Sequence, residues 1–121
     1  MTWTLDGDHL AADEVVARLR ARIAGGHLET WLSAESGRRL AFVTNTERAM
    51  VMLLEEPGDA GEHATDPGAD EWSDGFVLSN GQNDEYPGAD TVPLDRALGI
   101  VEHLVAQGTW PENAHHVSDR G

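Results

Sequence analysis

A long segment of this chain contains no cationic side chain. Between Ala49 and Asp95 there is neither lysine nor arginine, although twelve carboxylates occur there. These groups have no cation nearby in the sequence to pair with, and side chains of like charge repel one another. Their concentration creates a negative field that steers and holds basic partners. The twelve are Glu55, Glu56, Asp59, Glu62, Asp66, Asp70, Glu71, Asp74, Asp84, Glu85, Asp90 and Asp95.

The whole chain is also acidic. It has 22 acidic and 8 basic residues, which gives a net charge of −14, and every basic residue is an arginine. Direct nucleic-acid binding is disfavoured, because affinity for phosphates comes from lysine and arginine. A protein that itself binds nucleic acid is a more suitable partner, because its substrate groove is basic.

Length and composition indicate one domain. With 121 residues, 40% of them hydrophobic, the chain is expected to form a single domain over residues 1–121. It contains no cysteine, so disulfides, thiolate metal sites and cysteine nucleophiles are excluded. The N-terminus does not resemble a signal peptide, and no apolar run approaches the roughly 20 residues of a membrane span. A cytoplasmic protein without membrane association is expected.

The N-terminal half predicts a strand, a helix and three antiparallel strands. Residues 1–6 alternate as in a strand, and residues 12–23 have apolar side chains at helical spacing before a glycine pair. The periodicity then shortens to two, with turn residues between the apolar runs. The last run is apolar on both faces and predicts a central strand, with helix as the alternative. The three strands are expected near residues 28–33, 40–43 and 50–54.

The C-terminal half predicts an acidic loop, a hairpin and a helix. Residues 57–74 are predicted to form a mobile acidic loop, because they contain too little apolar surface to become ordered. The dipeptide Asn80-Gly81 predicts a hairpin, and Pro93 to Gly108 predicts a helix with one apolar stripe. The tail 112–121 is expected to be loosely ordered. The predicted fold class is α+β, an antiparallel sheet of about five or six strands with two helices packed on it.

Metal binding has weak support. The histidines that could supply a site are His115 and His116 together with His63 or His103. Adjacent histidines on a strand point to opposite sides, so this pair does not converge on one ion. No metal or other cofactor is predicted.

A calcium loop starting at Asp70 also fails. Asp74 occupies a suitable position, but Trp72 and Gly81 fall where an oxygen ligand and the bidentate glutamate are required. As a candidate acid and base, Asp84 and Glu85 would face opposite sides of a strand. No serine elbow, phosphate-binding glycine loop or metalloprotease helix occurs. The chain is therefore predicted not to be an enzyme, and no catalytic residue is assigned.

Aromatic residues among the acids indicate a binding surface. Trp31, Trp72 and Trp110 fall at a strand, in the acidic loop and after the last helix, and Tyr86 follows two acids. Each of them could instead cover the core. Trp72 lies in a segment without another apolar anchor, and aromatic residues surrounded by polar ones are typical of protein interfaces.

The segment from Gly75 to Pro111 resembles a known family. An apolar strand is followed by Asp84-Glu85-Tyr86-Pro87, by residues 92–97 (VPLDRA), by the helix and by residues 108–113 (GTWPEN). This succession is similar to the first Imm family of immunity proteins in bacterial polymorphic toxin systems. Such proteins neutralise secreted toxins, typically nucleic-acid deaminases of the kind found in actinobacteria. The resemblance covers the C-terminal third, and the N-terminal half matches only in the order of its elements.

One position departs from the family pattern. The family usually has a tryptophan shortly after the proline that follows the last helix, where this chain has His116. If that aromatic residue normally closes the core, closure here is expected from Trp110.

The resemblance and the charge imply one mechanism. A rigid acidic and aromatic face would occupy the basic groove of a deaminase and exclude its nucleic-acid strand. The expected partner is the catalytic domain of a cognate toxin, and the chain is expected to be a monomer before binding. The predicted contact residues are Asp70, Glu71, Trp72, Asp74, Asn80, Gln82, Asp84, Glu85 and Tyr86.

Other interpretations of these residues and of the chain stay open. Asn80 and Gln82 could only shape the hairpin, Tyr86 could pack on the last helix, and the acids could simply be solvated. The chain could also be an adaptor for a basic segment of a protein other than a toxin. A third alternative is a metal-dependent enzyme that uses His103, His115 and the acids.

Overall fold

The fold is α+β, as predicted. A computed structural model describes residues 3–69, 71–78 and 80–120. Of the helices in these ranges, none is long and apolar enough to cross a membrane. In chain order the elements are β1 (Trp3–Leu5), β2 (Asp8–Leu10), α1 (Ala12–Ala24), β3 (Glu29–Ala34), β4 (Arg39–Thr44), β5 (Arg48–Leu54), β6 (Glu62–Thr65), β7 (Trp72–Val77), β8 (Asn83–Pro87), a 3-10 helix (Gly88–Asp90), β9 (Val92–Pro93), α2 (Leu94–Gln107) and β10 (His115–Ser118).

The main sheet has more strands than predicted. Its order is β10-β6-β5-β4-β3-β1-β2, and β9 pairs with β5, so eight strands take part. All of these pairings are antiparallel. The expected number of five or six strands was too low, because β2, β6, β9 and β10 are short and lack a clear apolar alternation. Strands β7 and β8 form a separate two-stranded sheet.

The core lies between one face of the main sheet and the two helices. Leu32, Phe42 and Val51 point to this face from β3, β4 and β5, and the buried side of α2 covers them. The strand interpretation of residues 50–54 is confirmed, because β5 lies between β4 and β6. Trp110 packs against the core as expected, and its ring stacks on His116 with centroids 4.7 Å apart. His116 stands where the family pattern has a tryptophan, and its imidazole ring makes an aromatic contact with Trp110.

Two segments without predicted secondary structure contain strands. The expected loop 57–74 includes β6 and the start of β7, and the expected tail 112–121 includes β10, which pairs with β6. Polar contacts hold this region in place. Arg120 donates two short hydrogen bonds to the carboxylate of Asp59, at 2.9 and 2.7 Å, and the indole nitrogen of Trp110 donates to Glu62. These partners are distant in sequence, so the low apolar content of the two segments did not indicate that they would be ordered.

Arg48 connects the two chain segments that flank β7 and β8. Its Nε donates to the Thr91 hydroxyl at 2.8 Å, and its Nη2 donates to Asp66 at 2.8 Å and to the Thr91 carbonyl at 2.9 Å. Because Asp66 precedes β7 and Thr91 follows β8, one guanidinium fixes both ends of the hairpin to β5. The Arg48 and Asp66 side chains are only 23% and 21% exposed, so water screens the pair weakly.

The same contact shifts the titration of Asp66. The hydrogen bond from Arg48 lowers the pKa of Asp66 below its ordinary value of 3.8. A carboxylate whose pKa is lower in the folded chain stabilises the fold above its unfolded pKa. That stabilisation is lost as the pH falls through the folded pKa.

Replacement of Arg48 should destabilise the protein much more than replacement of Arg96. Arg48→Ala removes the guanidinium that donates to Asp66 and to the Thr91 carbonyl, and we expect the free energy of unfolding to fall by about 2 to 3 kcal/mol. Arg96 is the matched control, because it lies 3.9 Å from the same Asp66 carboxylate but is 58% exposed. Arg96→Ala should cost less than about 1 kcal/mol. Urea denaturation at neutral pH measures both values, and equal losses would contradict this role of Arg48.

Candidate functional site

The predicted contact residues come together in one hairpin. Eight of the nine lie in or beside β7 and β8, and Asp70 lies outside the described residues. The register pairs Ser73 with Tyr86 and Phe76 with Asp84, with a bulge between the two pairs. The extra residue is accommodated at Gly75, whose φ of 84° is in the left-handed region that favours glycine. The hairpin predicted at Asn80-Gly81 is thus confirmed.

The hairpin packs on the sheet through one side only. Phe76 is fully buried, and its ring meets the Tyr86 ring edge-on with centroids 4.9 Å apart. Strand β7 contacts β4, where Ala41 and Val43 point away from the helices and are also buried. The expectation that Tyr86 could pack on the last helix is therefore replaced by packing on Phe76. The hairpin covers part of the helix-free face of the sheet.

The turn of the hairpin uses the Asn80 side chain. Its Oδ1 accepts a hydrogen bond from the Gln82 backbone amide at 2.9 Å, and the Gly81 amide donates to the Leu78 carbonyl at 2.9 Å. Gly81 has φ of 86°, a conformation that glycine adopts without steric cost. Asn80 thus shapes the turn, which is the structural role considered for it above.

Three side chains of the hairpin bond to one another along one face of the chain. Gln82 donates from Nε2 to Asp84 at 2.7 Å, and the Tyr86 hydroxyl donates to the other Asp84 oxygen at 3.1 Å. Burial and the hydrogen bond to Asp84 raise the pKa of Tyr86 to about 12. Both Asp84 oxygens therefore accept hydrogen bonds within the hairpin, and the orientation of its carboxylate is set before any partner binds.

The acids of the hairpin have no arginine partner in the described part of the chain. Glu71, Asp74 and Glu85 are exposed, and Asp84 is partly exposed. The arginine ion pairs instead engage Asp6, Asp8, Glu55, Asp59, Glu62, Asp66 and Asp95. Several acids of the cation-free segment are thus paired with arginines from outside it. Within the cation-free segment, the described acids without an arginine partner are Glu56, Asp90 and the four acids of the hairpin, so the hairpin holds most of this charge.

An exposed tryptophan lies beside these acids. Trp72 is 66% exposed at the start of β7. It borders a cleft of about 380 Å³ whose wall also includes Glu47, Glu71 and Asp74. Asn45 holds this wall in position, because its Nδ2 donates to the Asp74 carbonyl at 2.8 Å. Sequence analysis missed Glu47 because it precedes the cation-free segment, although the turn residues beside it indicated an exposed loop.

Of the four histidines considered as metal ligands, His103 and His115 line the same cleft, of about 580 Å³. His115 and His116 are neighbours on β10, so they point to opposite sides of the sheet, and His116 stacks on Trp110. The Nδ1 of His103 is 2.8 Å from the Thr109 carbonyl. Within residues 3–69, 71–78 and 80–120, no three histidine, aspartate or glutamate side chains are grouped so that they could hold a metal ion.

His63 contacts a carboxylate with each ring nitrogen. Its Nδ1 is 2.7 Å from Asp119 and its Nε2 is 3.0 Å from Asp90. Burial by itself would lower the pKa of His63, but the hydrogen bonds and charges of Asp119 and Asp90 outweigh it. They raise the pKa above its ordinary value of 6.5. The protonated ring can donate to both acids, which connects β6 to the C-terminal segment and to the 3-10 helix.

His63 should make stability depend on pH. Because its pKa is higher in the folded chain, the imidazolium stabilises the fold fully below about pH 6.5, and this contribution is lost as the pH rises through the folded pKa. The free energy of unfolding of the wild type should exceed that of His63→Gln most at about pH 6 and less at about pH 9. Urea denaturation at both pH values measures the difference. His27→Gln, at an exposed position, is the control, and a difference independent of pH would contradict the prediction.

Comparison with known proteins assigns no family. The chain matches no protein-family model, and a search of curated proteins gives no significant match. The resemblance to immunity proteins therefore stays a hypothesis that depends on the motifs and on the geometry of the hairpin.

Proposed function

We propose that this protein is an immunity protein that binds a cognate secreted toxin and blocks it. The toxin proposed is a nucleic-acid deaminase, and the inhibitor acts as a monomer in the cytoplasm of the cell that makes it. The observation that carries the proposal is the hairpin, where Glu71, Asp74 and Glu85 have no arginine partner among the described residues and Trp72 is exposed beside them. The motif resemblance between Gly75 and Pro111 supports the choice of toxin.

The mechanism requires no reaction. A deaminase holds its nucleic-acid strand in a basic groove that leads to a zinc-bound water. Carboxylates of the hairpin would pair with the arginines and lysines that otherwise hold phosphates, while Trp72 contributes apolar contact area. The long-range negative field accelerates encounter with the basic groove. Neither a cofactor nor a catalytic residue is needed for such occlusion.

The rigidity of the hairpin favours inhibition by this route. Arg48 fixes its two ends, Phe76 anchors its inner side, and Asp84 is oriented by Gln82 and Tyr86. A surface that is already ordered loses less conformational entropy on binding than a flexible acidic loop. The smaller entropy loss favours a higher affinity for the toxin.

The direct test is protection of the toxin's substrate. We expect a deaminase toxin to be encoded beside the gene for this chain, and the deaminase domain of that toxin is the probe. An equimolar amount of wild-type protein should bind this domain and abolish deamination of single-stranded substrate. Binding with continued deamination would refute occlusion, and absence of binding would refute toxin immunity and favour an adaptor with another basic partner.

Charge reversal on the hairpin should slow association. The double variant Asp74→Arg with Glu85→Arg should lower the association rate at least about 10-fold at low salt and make it less sensitive to salt. Asp84 is left unchanged because Gln82 and Tyr86 depend on it. Stopped-flow mixing with the deaminase domain at two ionic strengths measures the effect.

A matched double variant controls for net charge. Glu102→Arg with Glu112→Arg changes the net charge equally, at exposed positions on and after α2. This variant should retain most of the wild-type association rate. Equal slowing by both double variants would show that net charge alone steers binding, and the hairpin would lose its assigned role.

A further inference from the structure

The helix-free face of the main sheet carries a row of side chains across five strands. The register aligns Trp31, Ala41, Met52, His63 and Val117 on β3, β4, β5, β6 and β10. Side chains aligned in this way on an antiparallel sheet share one face. We call these five residues the cross-sheet row.

Several members of the cross-sheet row are exposed and apolar. Trp31 is 45% exposed at one end of the row and Val117 is 46% exposed at the other, and Met52 is partly exposed between them. Ala41 is buried, and the side chain of His63 is 12% exposed. Large exposed apolar side chains are scarce in this chain, since the others in the described residues are Trp72 and Val77 of the hairpin. Exposed apolar side chains that share one sheet face are candidates for a protein-binding surface.

The cross-sheet row is continuous with the acidic hairpin. The Trp31 indole donates to the Glu29 carboxylate at 3.1 Å, and Glu29 lines a cleft of about 170 Å³ together with Val77 and Leu78 of the hairpin. Glu29 also aligns with Val43, which is on the part of β4 that the hairpin covers. The two surfaces therefore meet at Glu29, and a partner seated on the hairpin would extend over Trp31.

We propose that the cross-sheet row is the apolar half of the interface that begins at the hairpin. This inference rests on the proposed function and names a second surface for the same partner. The occupant is a basic protein whose arginines and lysines reach Glu71, Asp74 and Glu85 while its apolar side chains cover Trp31, Met52 and Val117. The negative charge of the hairpin speeds association, and the cross-sheet row adds buried contact area that slows dissociation.

Charge argues against a second copy of this chain as the occupant. Two copies docked through this face would bring together two hairpins whose acids have no arginine partner in the described residues, and each chain carries a net charge of −14. Arg39 lies on the same face, but one cation offsets only part of the four hairpin acids. Like charges brought close across an interface destabilise it, whereas a basic partner gains from the same charges.

Truncation of Trp31 should shorten the lifetime of the complex. We expect Trp31→Ala to raise the dissociation rate from the deaminase domain at least about 10-fold, because exposed tryptophans are frequent hot spots of binding energy. The association rate and its salt dependence should stay close to wild type, in contrast to the hairpin double variant. Gln107→Ala, which truncates an exposed side chain on the helix side, is the control. Surface plasmon resonance at two ionic strengths separates the rates.

A second measurement avoids substitutions. Oxidative footprinting of the wild-type protein should show Trp31 and Met52 protected in the complex relative to the free protein. An unchanged dissociation rate in Trp31→Ala together with unprotected side chains would overturn this inference, even where the hairpin variant confirms the acidic contact. Failure of the wild type to bind the deaminase domain would overturn both proposals. A dimer of the free chain that Trp31→Ala dissociates in sedimentation experiments would assign the cross-sheet row to a second copy instead.

Discussion

The contact of Arg48 with Asp66 and Thr91 determines where the acidic hairpin lies. It joins β5 to the chain just before and just after β7 and β8, so both ends of the hairpin meet at one guanidinium. A backbone hydrogen bond also joins the two ends of the hairpin, because the Gly88 amide donates to the Glu71 carbonyl. A side chain at Gly88 would collide with that carbonyl oxygen. Acids that repel one another are therefore held together by contacts beneath them.

The arginines contact acids and carbonyls at the junctions between structural elements. Arg22 donates to Thr30 and to the Glu29 carbonyl, Arg38 caps α2 through the Gly108 carbonyl, and Arg120 holds Asp59. Each of these cations connects elements of the main sheet and helices, and each is near an acid. In the described residues the hairpin acids receive no such partner. The few cations thus pair with acids that connect structural elements, whereas within the described part of the chain the hairpin acids stay unpaired with arginine, as do exposed acids elsewhere such as Glu35, Glu56 and Glu102.

The sequence predicted the parts of this fold that repeat locally. Alternation identified β3, β4 and β5, and the apolar stripe with Gly108 identified α2. The strands β6 and β10 were not predicted, because Ala64 is the one fully buried side chain of β6 and every residue of β10 is exposed. Their order depends on pairing with each other and on distant polar contacts. The sequence also did not show that Trp31 lies on the helix-free face of the sheet, because alternation alone does not show which face the helices cover.

The proposed interface resolves a conflict between two requirements. An inhibitor of a nucleic-acid enzyme must bind a basic groove without binding the nucleic acid that the groove accepts. Carboxylates satisfy both requirements, because the charges that attract arginine and lysine repel phosphate. Charge alone is a weak basis for a lasting complex in salt, since exposed pairs are screened. The cross-sheet row, joined to the hairpin at Glu29, would add the apolar contact that screening does not weaken.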